Sequence, residues 1–219
     1  MVPPALPPSA VAAIVATPPV GKAVMAAAQV ALTAGQQFTF GQEGFRAAPY
    51  HPTSGSGVTI GVGYDMSQRS ATSIVNDLVA AGVDKNTAQK LAKAAGLTGS
   101  AADVFVRQNL GLTITEAQGK ALFVSIYNGK ADYAQSLATK ADVVKLYGPT
   151  DWAKLNQRIK DILVDMTYRG DYTPQARTII QKYLVKNDLA GFRTAMANRA
   201  NWPDVPKARF DARVAYLRA

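Results

Sequence analysis

Residues 43–65 read EGFRAAPYHPTSGSGVTIGVGYD, and the chain changes its pattern within them. Just upstream, Phe38, Gly41 and Phe45 recur at spacings of three and four, which predicts a short helix over residues 36–47 carrying Glu43. Pro49, Pro52 and Gly55-Ser56-Gly57 then punctuate the chain, after which Val58, Ile60, Val62 and Tyr64 alternate with Thr59, Gly61, Gly63 and Asp65. The alternation predicts a strand entered through a turn, with the first set facing a core and the second facing outward. Glycines on the outward face would let an extended polar polymer such as a saccharide approach the backbone, although a plain surface strand bent at its glycines has the same pattern. Six residues of ideal strand span roughly 20 Å, so Thr59 and Asp65 can act together only if the chain bends around Gly63. A nucleotide-binding loop is excluded, because no third glycine completes GxGxxG and no strand-helix-strand alternation surrounds the pair.

Downstream of Asp65 the spacing turns helical. Ile74, Val75, Leu78 and Val79 mark one stripe, Asp84 reads as a cap for a segment reaching Ala95, and Thr115-Glu116 opens a helix with Leu122, Phe123, Ile126 and Tyr127. Asp151 reads as the start of a longer helix through Leu155, Ile159, Ile162, Leu163 and Met166, ended by Gly170. Pro174 suits the first turn of the next, and a last helix is predicted over residues 206–217. Upstream, residues 1–35 are rich in alanine, valine and proline with Lys22 as their sole charge, and predict a loose start and one helix over residues 20–33. The fold class expected is α+β and predominantly α-helical, with domain boundaries at 1–35 for the N-terminal segment and 36–219 for the main domain.

Composition narrows the chemistry. The 219 residues contain no cysteine and one histidine, His51, which removes thiol nucleophiles, thiolate zinc sites and two-histidine metal sites. One Ser-His-Asp arrangement through His51 stays open, but carboxylates are the expected hydrolytic groups, and residues 1–65 hold only two of them, Glu43 and Asp65. The 24 Lys and Arg against 15 Asp and Glu give a net charge of +9 and attraction to polyanions. Nothing marks specific nucleic-acid recognition. Prolines interrupt residues 1–35 where a signal peptide or a spanning helix would need continuity, so neither is expected. Glu43 sits among uncharged and aromatic neighbours that can raise a carboxyl pKa, as a general acid needs, but taken alone it also reads as a solvated helix residue.

The Glu43-Gly44 pair on a helix, Tyr50 after it and the Thr-Ile-Gly-x-Gly strand at Thr59–Gly63 resemble the active-site signature of the phage lysozyme family, whose members include the T-even phage lysozymes and pesticin. Weaker similarity appears in ALFVSIYNGKAD from Ala121, ILVDMTYRGD from Ile162 and RFDARVAYLRA from Arg209. The resemblance implies a lysozyme-like fold, with a small β-hairpin lobe and a larger helical lobe. It also implies a muramidase cutting the β-1,4 bond between N-acetylmuramic acid and N-acetylglucosamine. Glu43 matches the general acid and Thr59 the threonine that places the attacking water. The T-even aspartate is missing, since His51 and Pro52 stand there, whereas Asp65 lies six residues beyond Thr59 as in pesticin-like members and becomes the general base. An inverting course is implied, with no metal or cofactor.

Tyr50 and Tyr64 are candidates to line the cleft with sugar-binding faces, Gly61 and Gly63 to admit the glycan, His51 to bind sugar or tune Glu43, and Arg169 to turn toward the cleft. The expected protein is a monomeric phage endolysin with peptidoglycan as substrate, held in the host cytoplasm before release to the wall. A bacteriocin or antibacterial effector would share the same residues. A lytic transglycosylase would dispense with Asp65, and a non-catalytic wall-binding or membrane-active protein would dispense with Glu43. Six basic residues over 193–219 against Asp204 and Asp211 predict contact with anionic wall polymers or outer-membrane lipid, or a solvated basic face.

Overall fold

The structure, a computed structural model, describes residues 30–53 and 55–219. Of the helix expected over residues 20–33, residues 20–29 lie outside the described residues, and residues 30–33 are not helical. Thr33 is instead the N-cap of helix α1, Ala34–Glu43, in a reciprocal capping box with Gln36. The helix stops at Glu43 rather than running to residue 47, because Gly44 leaves helical geometry at φ 74°. The next residues form a strand that the spacing did not reveal, β1 Arg46–Tyr50. Pro49 is tolerated there because β1 is an edge strand.

The single strand expected from residue 58 is a hairpin. Strand β2, Thr59–Gly61, turns through Val62-Gly63 into β3, Tyr64–Asp65, and the sheet order is β1-β2-β3, all antiparallel. Gly61 at φ 65° and Gly63 at φ 78° supply the left-handed backbone that so tight a reversal requires. The core-facing set is as expected, since Val58, Ile60, Val62 and Tyr64 are all buried.

Helices α2 (Ala71–Ala80), α3 (Lys85–Leu91, capped by Asp84) and α4 (Gly99–Gln108) cover the sheet. Ile74, Leu78 and Leu91 join Ile60, Tyr64 and Met66 in one core, whereas Val79 is exposed. The 24-residue α5, Glu116–Thr139, links this lobe to the next, with Leu122 in the first core and its neighbour Phe123 in the second. The second core is built by α1, α5, α7 (Gln157–Arg169), α8 (Pro174–Val185), α9 (Leu189–Ala197) and α10 (Lys207–Arg218), and α6 (Ala141–Tyr147) packs on α5 and α8. Asp151 does not open α7. Residues 152–155 form a turn and a bend, and the Asn156 side chain caps the helix through the Arg158 amide. Among the described residues no helix is long and apolar enough to cross a membrane.

A polar seam runs through this helical core. Asp161 and Asp165 lie one turn apart on α7, both buried. Asp161 accepts from Tyr127 of α5 (3.2 Å), Gln157 (2.8 Å) and Tyr216 of α10 (2.5 Å). Helix α1 closes over it, and a Cβ at Gly35 would stand 2.1 Å from Asp161 Oδ1. Three hydrogen bonds keep that carboxylate from swinging aside. Gly35→Ala is therefore expected to destabilise the fold by about 1–3 kcal/mol, whereas Gly41→Ala, on the same helix with open space at its Cβ, should stabilise by up to about 1 kcal/mol. Denaturant midpoints of the two variants check the pair.

Candidate active site

The hairpin resolves the distance between Thr59 and Asp65. They are direct partners in the β2–β3 ladder, and Thr59 also pairs with Tyr50 of β1, so Tyr50, Thr59 and Asp65 form one row across the sheet. Partners in such a row share a face. Asp65 is fixed by two backbone amides, Ser67 N donating to Oδ1 at 2.8 Å and Gly57 N to Oδ2 at 3.3 Å. Thr59 is buried and spends its hydroxyl proton on the Gly57 carbonyl at 3.1 Å, which leaves its lone pairs as acceptors.

Glu43 ends α1, where the helix dipole disfavours a carboxylate. Arg209 of α10 offsets this, with Nη2 donating to Glu43 Oε1 at 2.6 Å. The same guanidinium grips Asp165 through Nη2 (2.6 Å to Oδ1) and Nε (3.2 Å to Oδ2). Burial works against the Arg209 charge, but the Asp165 and Glu43 carboxylates outweigh it and its pKa is raised. Asp165 also accepts from Arg213 Nε at 2.6 Å, and Arg213 Nη1 lies 2.8 Å from Asp171 Oδ2 as an ion pair outside hydrogen-bond geometry. Glu43, Asp165 and Asp171 thus balance Arg209, Arg213 and Arg169.

Two tyrosines, one from α7 and one from β1, stand against the hairpin. Tyr168 of α7 donates its hydroxyl to the Val62 carbonyl at 3.3 Å, and its ring would lie 3.6 Å from a Cβ at Gly63. Tyr50 of β1 stands beside Thr59 of β2, the strand that leads into the tip. Burial raises the pKa of both phenols; the Glu43 charge raises both further, and the Asp65 charge adds to the rise at Tyr50. Gly63 is exposed at the tip, whereas Gly61 is buried and pairs with Arg46.

Three expected contributors point elsewhere. Tyr64 faces the core, not the cleft, and donates to Asp77 Oδ2 at 2.6 Å, as its place in the alternation requires. Arg169 is tied to Asp171 Oδ1 (2.5 Å) and to the Asp204 carbonyl (2.8 Å), where it joins the end of α7 to the loop before α10. His51 has both ring nitrogens occupied, Nδ1 at 2.8 Å from Asp103 Oδ1 and Nε2 at 3.1 Å from the Ser56 carbonyl. Of the six C-terminal basic residues, Arg209 and Arg213 are interior and add nothing to a solvated basic face. Among the described residues no group of three or more His, Asp or Glu stands close enough to hold a metal ion.

In the sequence Asp165 and Tyr168 lie within ILVDMTYRGD, and Arg209 is one of six basic residues expected to meet anionic polymers, with no mark that joins them to Glu43 or the hairpin. Two aspartates at the apolar stripe of one helix and a basic helix far along the chain are the available signal. Removing Asp165 strands two guanidiniums, one of them almost wholly buried, so Asp165→Ala should cost about 3–5 kcal/mol by denaturant unfolding. His51 gives a pH test. Both its partners are acceptors, so both nitrogens are satisfied only in the imidazolium, and hydrogen bonding to Asp103 is the chief cause that raises its pKa. A raised value means that the clamp stabilises fully below the unfolded pKa of about 6.5 and is lost as pH rises through the folded one. NMR titration should find His51 above its ordinary value, and Asp103→Asn should bring it down.

No curated protein matches the chain. A family sequence model matches residues 35–214, and the chain belongs to that family, described as Domain of unknown function (DUF8812).

Proposed function

We propose that the protein is a peptidoglycan hydrolase of the N-acetylmuramidase type, built on a lysozyme-like fold, with Glu43 as general acid and Asp65 as general base. The observation that carries the reading is the row Tyr50, Thr59, Asp65, which sets the expected base and threonine side by side on the sheet. The expected acid, Glu43, ends α1 just before β1, the strand that supplies Tyr50 to that row.

The residues divide the work of glycoside hydrolysis between them. Arg209 occupies Glu43 Oε1, leaving Oε2 to carry a proton to the glycosidic oxygen, and then stabilises the carboxylate formed as that proton leaves. A water lying over the row donates one hydrogen to Asp65 and the other to Thr59 Oγ1, whose own proton is spent on Gly57. Its remaining lone pair then points at the anomeric carbon. As the water oxygen bonds to that carbon, Asp65 takes its proton, the old C–O bond breaks, and the leaving oxygen takes the proton of Glu43. Attack by water opposite the acid inverts the anomer, a course that needs carboxyl groups about 6.5–9.5 Å apart. The resemblance to phage lysozymes supports the role of an endolysin that lyses a bacterial host from within.

Glu43→Gln should keep the helical circular-dichroism spectrum and lower the release of soluble fragments from purified peptidoglycan by about 10²–10⁴-fold. Asp65→Asn should fall comparably. Wild-type rates in Glu43→Gln would remove the acid assignment, and wild-type rates in Asp65→Asn alone would move the reading to a transglycosylase.

A further inference from the structure

Two cations stand at this site without acidic partners. Arg46, exposed on β1, holds its guanidinium carbon 4.5 Å from the centroid of the Tyr50 ring. Lys130, half-buried on α5, holds its ammonium 5.6 Å from the centroid of the Tyr168 ring. Among the described residues neither joins an ion pair, whereas Arg169, Arg209 and Arg213 are all neutralised by carboxylates. Tyr168 reaches the hairpin tip at Val62 and Gly63, and Tyr50 lies in the row with Thr59 and Asp65, so one cation stands over the ring that begins the row and the other over the ring that holds the tip from α7. An aromatic face holds a cation in place with about 0.5–1 kcal/mol at exposed sites and takes up none of its hydrogen-bond donors. Both donor sets therefore remain available to an anion beside the acid. One face of each ring is also covered, so these tyrosines offer a sugar less stacking surface than bare rings would.

We propose that Arg46 and Lys130 are specificity-determining residues that bind carboxylates carried by the glycan, so that the site selects a polymer bearing lactyl or peptide carboxylates over a neutral N-acetylglucosamine polymer. The inference rests on the hydrolase reading and deepens it. Carboxylates of this kind are ionised above about pH 4–5, so the selection operates across the neutral range and weakens as salt screens it.

The test is calorimetric titration of Glu43→Gln, which prevents turnover, with two probes: a tetrasaccharide of alternating N-acetylglucosamine and N-acetylmuramic acid bearing peptide stems, and chitotetraose. Lys130→Gln and Arg46→Gln, each placed in this background, should weaken binding of the anionic probe by roughly five- to tenfold and leave chitotetraose unchanged. Lys130→Arg should restore most of the loss. Equal weakening for both probes, no weakening for either, or no binding of the anionic probe overturns the proposal. The two readings fail separately. Charge-selective binding with no cleavage by the wild type would sink the hydrolase reading and keep this one, whereas cleavage of both glycans at rates indifferent to Lys130→Gln would keep the hydrolase and sink this one.

Discussion

The buried carboxylate of Asp165 is the constraint on which the candidate site depends. It takes Arg209 and Arg213 from α10 onto α7, and Arg209 in turn reaches Glu43 at the end of α1. Buried ion pairs return little net stability compared with apolar side chains of the same volume, because desolvation consumes most of their attraction. What such a network provides is orientation. Helix α1 is fixed at both ends, by Asp161 against Gly35 and by Arg209 against Glu43, so the carboxylate at its C-terminus has a defined position relative to the helical lobe.

The other half of the site is fixed by a different means. The hairpin tip is held by Tyr168 from α7, β1 pairs along β2, and Asp65 is held by backbone amides rather than by charge. The Tyr168 hydrogen bond spans 106 positions in the chain and ties the small lobe to the same helix that anchors Arg209. Helix α7 is therefore the common reference for both carboxylates. Its sequence reflects that duty: two aspartates stand among the buried Ile159, Ile162, Leu163, Val164 and Met166, with Tyr168 following them.

Much of the fold could be read from caps and periodicity. Asp84, Thr115, Gly170 and Pro174 start or end helices where their side chains or backbone freedom require it. The errors fell where local and non-local signals compete. Phe45 continued the helical spacing of Phe38 and Gly41, yet Gly44 ends the helix, and Arg46–Tyr50 becomes a strand because β2 pairs with it. The alternation of residues 58–65 was legible face by face, but pleat periodicity is the same for one strand and for two joined by a two-residue turn, so the reversal at Gly63 appeared only as a required bend. Asp165, Arg209 and Arg213 were illegible as a group, since an ion pair across more than 40 residues leaves no local pattern.

The basic charge of the chain divides in the same way. Part of it is internal and balanced, and Arg46 and Lys130 rest on the rings of Tyr50 and Tyr168. The central claim is that Glu43 and Asp65 hydrolyse a glycosidic bond, and the most direct measurement is the mass of the fragments that the wild-type protein releases from purified peptidoglycan. Reducing N-acetylmuramic acid ends, one water gained per bond cut, are the expected result. Ends lighter by one water, as 1,6-anhydro sugars are, or no fragments at all, would contradict it.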